Sequence, residues 1–155
     1  FNGLNLCFET REGILKHCSA RAARELGEIG ARFLLKRQPT LEAQIANLAD
    51  EIAYNNHDID DGLRSGLISI EQLQMLEIFA THYAQVMSKY PNLERRRAIA
   101  ETIRAMINTL IIDLTQTTQQ NIQKHQPQSP YDVPVPGCLF PAYAGAGRCA
   151  QTLFA

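Results

Sequence analysis

Six apolar residues, Leu41, Ile45, Leu48, Ile52, Ile59 and Leu63, constrain this chain more than any other feature. On a helix turning about 100° per residue they fall within roughly 40° of one direction. A strand would alternate with a period of two, and no such run occurs. The spacing therefore predicts a long amphipathic helix. Pro39-Thr40 supplies a turn residue and an N-cap, and Glu42 sits in the first turn, where the helix dipole favours a carboxylate. The helix should end near Gly66.

The neighbouring segments read the same way. Ser69 with Gln72 makes a capping box opening a second helix through Leu73, Leu76, Phe79, Tyr83, Val86 and Met87. Within it, Phe79 and Tyr83 at i, i+4 are core packing. Tyr90-Pro91-Asn92 closes that helix, and a third follows with Ile99, Ile103, Met106, Leu110 and Leu114 as its buried stripe. Upstream, Leu4 to about His17 reads as a helix with Leu6, Ile14 and Leu15 apolar and Glu9, Arg11 and Glu12 polar. Cys18 to Lys36 is Arg-rich and interrupted by Gly27 and Gly30, so a loop or a short helix is expected. Past His125 come Pro127, Pro130, Pro134, Pro136 and Pro141, and no helix survives that density. Gly145-Ala-Gly147 does not lie between a strand and a helix, which argues against a phosphate loop. The fold class is all-α: a helical bundle fragment over 1–126 followed by a Pro/Gly-rich irregular tail over 127–155.

Composition narrows the function classes. At 155 residues the chain has the length of one domain, and its net charge of −1 makes it no general trap for nucleic acid. No apolar run is long enough to span a membrane. Cys7, Cys18, Cys138 and Cys149 form no CxxC pair, which disfavours a zinc ribbon or a disulfide framework and points to a reducing cytoplasm. Charge is nonetheless uneven: residues 1–40 carry +3, 41–72 carry −6 and 73–126 carry +2. An acidic segment between basic ones suggests carboxylates facing cations.

That acidic segment lies on the Leu41 helix. Asp50, Tyr54 and Asp58 follow at i, i+4, i+8 along one edge, broadly opposite the apolar stripe. Ala43, Ala46 and Ala53 occupy much of the same side, where an exposed helix would carry long charged residues. The expectation is a helix covered on two sides, one apolar and one functional. Asp50 is suited to a hard or borderline cation, Asp58 to accepting a hydrogen bond from a hydroxyl, and Tyr54 offers a ring and an OH between them. The plainer alternative is a solvated acidic face.

At these residues the chain resembles a known family. Leu48-Ala-Asp50-Glu-Ile-Ala-Tyr54, followed by Asn56-His57-Asp58-Ile-Asp60-Asp61-Gly62-Leu63, looks like the last signature of the HD-domain deoxynucleoside triphosphate triphosphohydrolases. More narrowly it is similar to the bacterial deoxyguanosine triphosphate triphosphohydrolase-like group. Gly3-Leu-Asn-Leu6 and Glu12-Gly-Ile-Leu-Lys-His17 fit the same group, and the resemblance covers residues 1 to about 125. It implies Asp50 as a metal ligand, with Mg or Mn the expected ion, Tyr54 packed on a deoxyribose and Asp58 bonded to its 3′-OH. The implied reaction releases triphosphate and a deoxynucleoside through a metal-activated water attacking the α-phosphorus. Family members are oligomers, so a homo-oligomer is expected.

Departures from the family carry equal weight. Its first metal histidine and its His-Asp pair have no counterpart here, because His57-Asp58 belongs to the last signature and points round the helix from Asp50. One carboxylate does not hold a catalytic metal. The chain is therefore expected to be the C-terminal part of such an enzyme, inactive alone and without retained metal. Lys16 is a candidate triphosphate contact and Arg104 a candidate phosphate ligand. His17 is read as a cation complementing a helix end, and Glu94-Arg95-Arg96-Arg97 as a surface salt-bridging or subunit-contact cluster. A second reading makes the chain a non-catalytic helical module assembling with its own copies through the Leu41–Leu63 and Ile99–Leu114 stripes.

The tail departs as well. Choosing permitted codons from Gly137 onward and reading one base later yields Val-Ala-Phe-Phe-Pro, Met-Gln-Ala-Gln and Lys-Arg-Phe-Leu, an order like the family's ending. A frameshifted origin is the expectation, with a genuine proline-rich extension as the alternative.

Overall fold

The computed structural model describes residues 3–15, 18–35 and 39–129. Lys16, His17 and the tail from Pro130 onward lie outside them, and so do the expectations placed there. The described residues form seven helices and no strand: α1 (Phe8–Leu15), α2 (Ala20–Glu25), α3 (Gly27–Leu34), α4 (Leu41–Ser65), α5 (Ile70–Leu73), α6 (Glu77–Lys89) and α7 (Arg95–His125). They divide into two compact units. The first holds the described residues up to Leu48 together with those from Gln120 onward, and the second runs from Ala49 to Gln119.

In the first unit, α1 starts later than its apolar pattern predicted, and its burial is reversed. Glu12 is 1% exposed while Ile14 is 65% exposed. The cause is an ion pair: Arg32 Nε of α3 lies 2.6 Å from Glu12 Oε1. The guanidinium also sits 6.0 Å from the centre of the Phe8 ring. A carboxylate is buried here because a cation is brought to it.

Within the Cys18–Lys36 segment, expected as a loop or a short helix, the described residues form two helices, α2 and α3. Ser19 caps α2, its hydroxyl accepting from the Ala22 amide at 3.2 Å. Gly27 does break the helix, at φ 62°. Gly30 does not. It is buried within α3, and a Cβ there would fall 1.7 Å from the Ala23 carbonyl oxygen. Its role is close approach of two backbones rather than interruption.

Helix α4 keeps its predicted limits. The Thr40 hydroxyl accepts from the Ala43 amide at 3.5 Å, and Gly66 follows the last turn at φ 76°. Ile68 donates back to the Gly62 carbonyl at 3.2 Å, pairing one of the acceptors that a helix end leaves free.

In the second unit, Ile59, Ile70, Leu73, Phe79 and Met106 form an apolar core, with Leu63, Ile99 and Ile103 against it. The capping box is present in both directions: Gln72 N to Ser69 Oγ at 3.3 Å and Ser69 N to Gln72 Oε1 at 2.8 Å. The helix it opens is only four residues long, however, and α6 starts afresh at Glu77. In one continuous helix Leu73 and Phe79 would diverge by about 120°. The break lets both reach the core, where each is 0% exposed. Phe79 and Tyr83 stack as expected, centroids 5.7 Å apart.

The buried stripe of α7 is shifted from the expected one. Met106 and Leu114 are buried, but Ala98, Thr102 and Thr118 complete the line, while Ile99, Ile103 and Leu110 are half-buried. Thr102 and Thr118 are buried without loss because their hydroxyls donate to the carbonyls of Ala98 (2.7 Å) and Leu114 (2.6 Å).

Candidate functional site

The outer edge of α4 carries the candidate residues. Asp50, Tyr54 and Asp58 rise about 6 Å apart along the helix axis. Asp50 is exposed, Tyr54 is 67% exposed and Asp58 is half-buried. Ala46 and Ala53 beside them are also exposed. Among the described residues the apolar side of α4 is covered at Ile52 and Ile59, whereas the other side is uncovered from Ala46 to Tyr54, so the expected double burial is not seen over that stretch. Ala43, by contrast, is buried and belongs to the first unit, where it faces Gly13.

One buried polar residue stiffens this stretch from within. Asn56, 3% exposed, donates from Nδ2 to the Ile52 carbonyl at 2.7 Å, and its Oδ1 has no hydrogen-bond partner among the described residues. It lies between Tyr54 and Asp58 in sequence but on the covered side.

Arg104 on α7 is exposed and pairs with Glu101 at 3.3 Å, one turn earlier on its own helix. Lys16 lies outside the described residues. Among the described residues no three His, Cys, Asp or Glu side chains gather as metal donors, so Asp50 stands as one donor without the companions a bound ion requires. The residues described do not by themselves fit a catalytic metal.

Two arrangements were not anticipated. The buried Glu12–Arg32 pair has no sequence signal, since twenty residues separate its members. The second is a cleft of about 310 Å³ where Asp60, Leu63 and Arg64 of α4 meet Glu94, Arg95, Arg96 and Ile99. The Asp60–Arg64 pair at 2.7 Å was legible as an i, i+4 spacing, but its meeting with the arginines of α7 was not.

Known proteins match most of this chain. A deoxyguanosinetriphosphate triphosphohydrolase-like protein of Bordetella pertussis is 69% identical over 133 residues, which are 86% of this chain and 35% of that protein. Over these residues the chain is homologous to part of that family. Proteins of the same name from Thiobacillus denitrificans (62% over 122 residues, 79% of this chain and 32% of the relative) and Nitrosomonas europaea (59% over 133 residues, 86% and 36%) agree. The chain thus spans about a third of the length of the curated relatives it matches. No protein-family model and no solved structure matches it. The resemblance to the deoxyguanosinetriphosphate triphosphohydrolase-like group is thereby shown for the matched residues, and the described residues are all-α. No described helix is long and apolar enough to cross a membrane.

Proposed function

We propose that this chain supplies the sugar-recognition edge, and one metal donor, of a metal-dependent deoxynucleoside triphosphate triphosphohydrolase that acts in the cytoplasm on dGTP-like substrates. The observation that carries it is the Asp50–Tyr54–Asp58 register on a bare helix edge, within a segment 69% identical to a triphosphohydrolase-like protein. An exposed tyrosine ring flanked one turn away on each side by a carboxylate suits a deoxyribose. The ring covers the sugar's apolar face, and the Asp58 carboxylate accepts from its hydroxyl. Asp50, about 12 Å along the axis from Asp58, is left for the cation at the phosphate end.

In this reading the chain corresponds to the C-terminal part of the enzyme. The remaining donors, and the phosphate contacts beyond Lys16 and Arg104, come from the two-thirds of the relatives it does not match, and alone it hydrolyses nothing. The overall conversion is a deoxynucleoside triphosphate and water to a deoxynucleoside and triphosphate. Assembly into a homo-oligomer is part of the same proposal. Of the α4 and α7 stripes, Ile59, Leu63, Ile99, Ile103 and Met106 pack together within the second unit, while Ile45 is exposed.

The test is a chimera in which this chain's residues replace the matching 133 of the Bordetella pertussis relative. The chimera should release triphosphate from dGTP with Mn²⁺ or Mg²⁺, and this chain alone should not. Asp50→Ala should lower the chimera's rate at least about a hundredfold, and Asp58→Ala should act chiefly on KM. An Asp50→Ala chimera with undiminished rate would end the metal-donor assignment.

A further inference from the structure

The cleft of about 310 Å³ in the second unit is at the lower end of small-ligand pockets, which run from roughly 300 Å³ upward. Three guanidinium-bearing residues line it, Arg64 from α4 and Arg95 and Arg96 from α7, against two carboxylates, Asp60 and Glu94. One carboxylate is already committed, since Asp60 Oδ2 lies 2.7 Å from Arg64. Among the described residues neither Arg95 nor Arg96 has a carboxylate within 4 Å.

These arginines also stand where a cation is least welcome. They open a helix of 31 residues, whose positive dipole end costs each nearby cation about 0.3–1 kcal/mol. An anion in the cleft turns that repulsion into attraction. Leu63 and Ile99 supply apolar wall beside the exposed arginines. Arginine presents a planar fork matched to phosphate oxygens. The positive field is felt nearby. The Glu71 carboxyl is held below its ordinary 4.5, first by the Ser69 hydrogen bond, then by its own backbone, and with a smaller contribution from Arg95.

We propose that the cleft between Arg64, Arg95 and Arg96 is a second binding site, for a small phosphate-bearing anion. It is separate from the Asp50–Tyr54–Asp58 edge: around α4, Asp60, Leu63 and Arg64 lie about 120°, 180° and 80° from Tyr54 at the centre of that edge. The site therefore stands whether or not the sugar-recognition reading does.

Calorimetric titration of the full chain with inorganic tripolyphosphate at about 150 mM salt tests it. Saturable binding is expected, weakened at least about tenfold in the Arg95→Gln/Arg96→Gln double variant and unchanged in Arg24→Gln, an exposed arginine of α2. Amide NMR shifts on the unaltered chain should concentrate at residues 60–64 and 94–99, which needs no variant to fold. Parallel titrations with inorganic phosphate and dGMP distinguish a free anion from one carried on a nucleoside: equal affinity marks the former and tighter dGMP the latter. Absence of saturable binding to the unaltered chain, equal weakening by Arg24→Gln, or shifts centred outside those two segments would overturn the proposal.

Discussion

The two units solve the same problem with different materials. In the second, large apolar side chains converge: Leu73 and Phe79 are fully buried, with Ile59, Ile70 and Met106 around them. In the first, the residues buried most completely are Glu12 and Ala23, each 1% exposed, and a glycine lets α2 and α3 approach closely. One unit is stabilised by area removed from water, the other by a charge pair and by short-range backbone contact. The difference teaches that an apolar pattern reports burial only where apolar residues do the burying. Ile14 and Leu35, 65% and 64% exposed, are the counterexamples in the first unit.

Replacing Phe79 with alanine should have the largest effect, lowering stability by about 3–5 kcal/mol as read from the denaturant midpoint, because the stacked Tyr83 and the surrounding core do not close the void. A loss below about 1 kcal/mol would show that the second unit does not depend on its apolar cluster. Glu12→Ala comes next, at about 3 kcal/mol, since it removes the buried carboxylate paired with the Arg32 guanidinium. The double variant Glu12→Met/Arg32→Met should recover most of that loss, and a double variant as unstable as the single one would show that the pair contributes more than charge compensation. Gly30→Ala should cost about as much, about 3 kcal/mol or more in thermal melts, as the added methyl meets the Ala23 backbone carbonyl rather than a side chain that can swing aside. A neutral Gly30→Ala would mean that close helix approach is not what holds the first unit.

The sequence was most legible where structure is local. Thr40, Ser69, Gln72 and Gly66 act within one turn of themselves, so the limits of α4 and the capping box were readable. The α5–α6 break was not, because it answers to where Leu73 and Phe79 must point, and that is a property of the assembled core. The α7 stripe was missed by about one position, since Thr102 and Thr118 satisfy their own hydroxyls and a hydropathy pattern treats them as polar. Of the candidate site, the Asp50–Tyr54–Asp58 register is pure helical geometry and was legible.

The sequence by itself determined the class of fold, the course of α4, the alignment of Asp50, Tyr54 and Asp58, and the family to which the matched residues are homologous. These depend on periodicity and on residue identity, which the chain carries locally. Tertiary structure alone decided that Glu12 is buried, that Gly30 packs rather than breaks, and that Arg64 meets Arg95 and Arg96 across a cleft. Each of those joins residues from different helices. Their proximity is set by how side-chain volumes and charges fit in three dimensions, and no spacing along the chain encodes that fit.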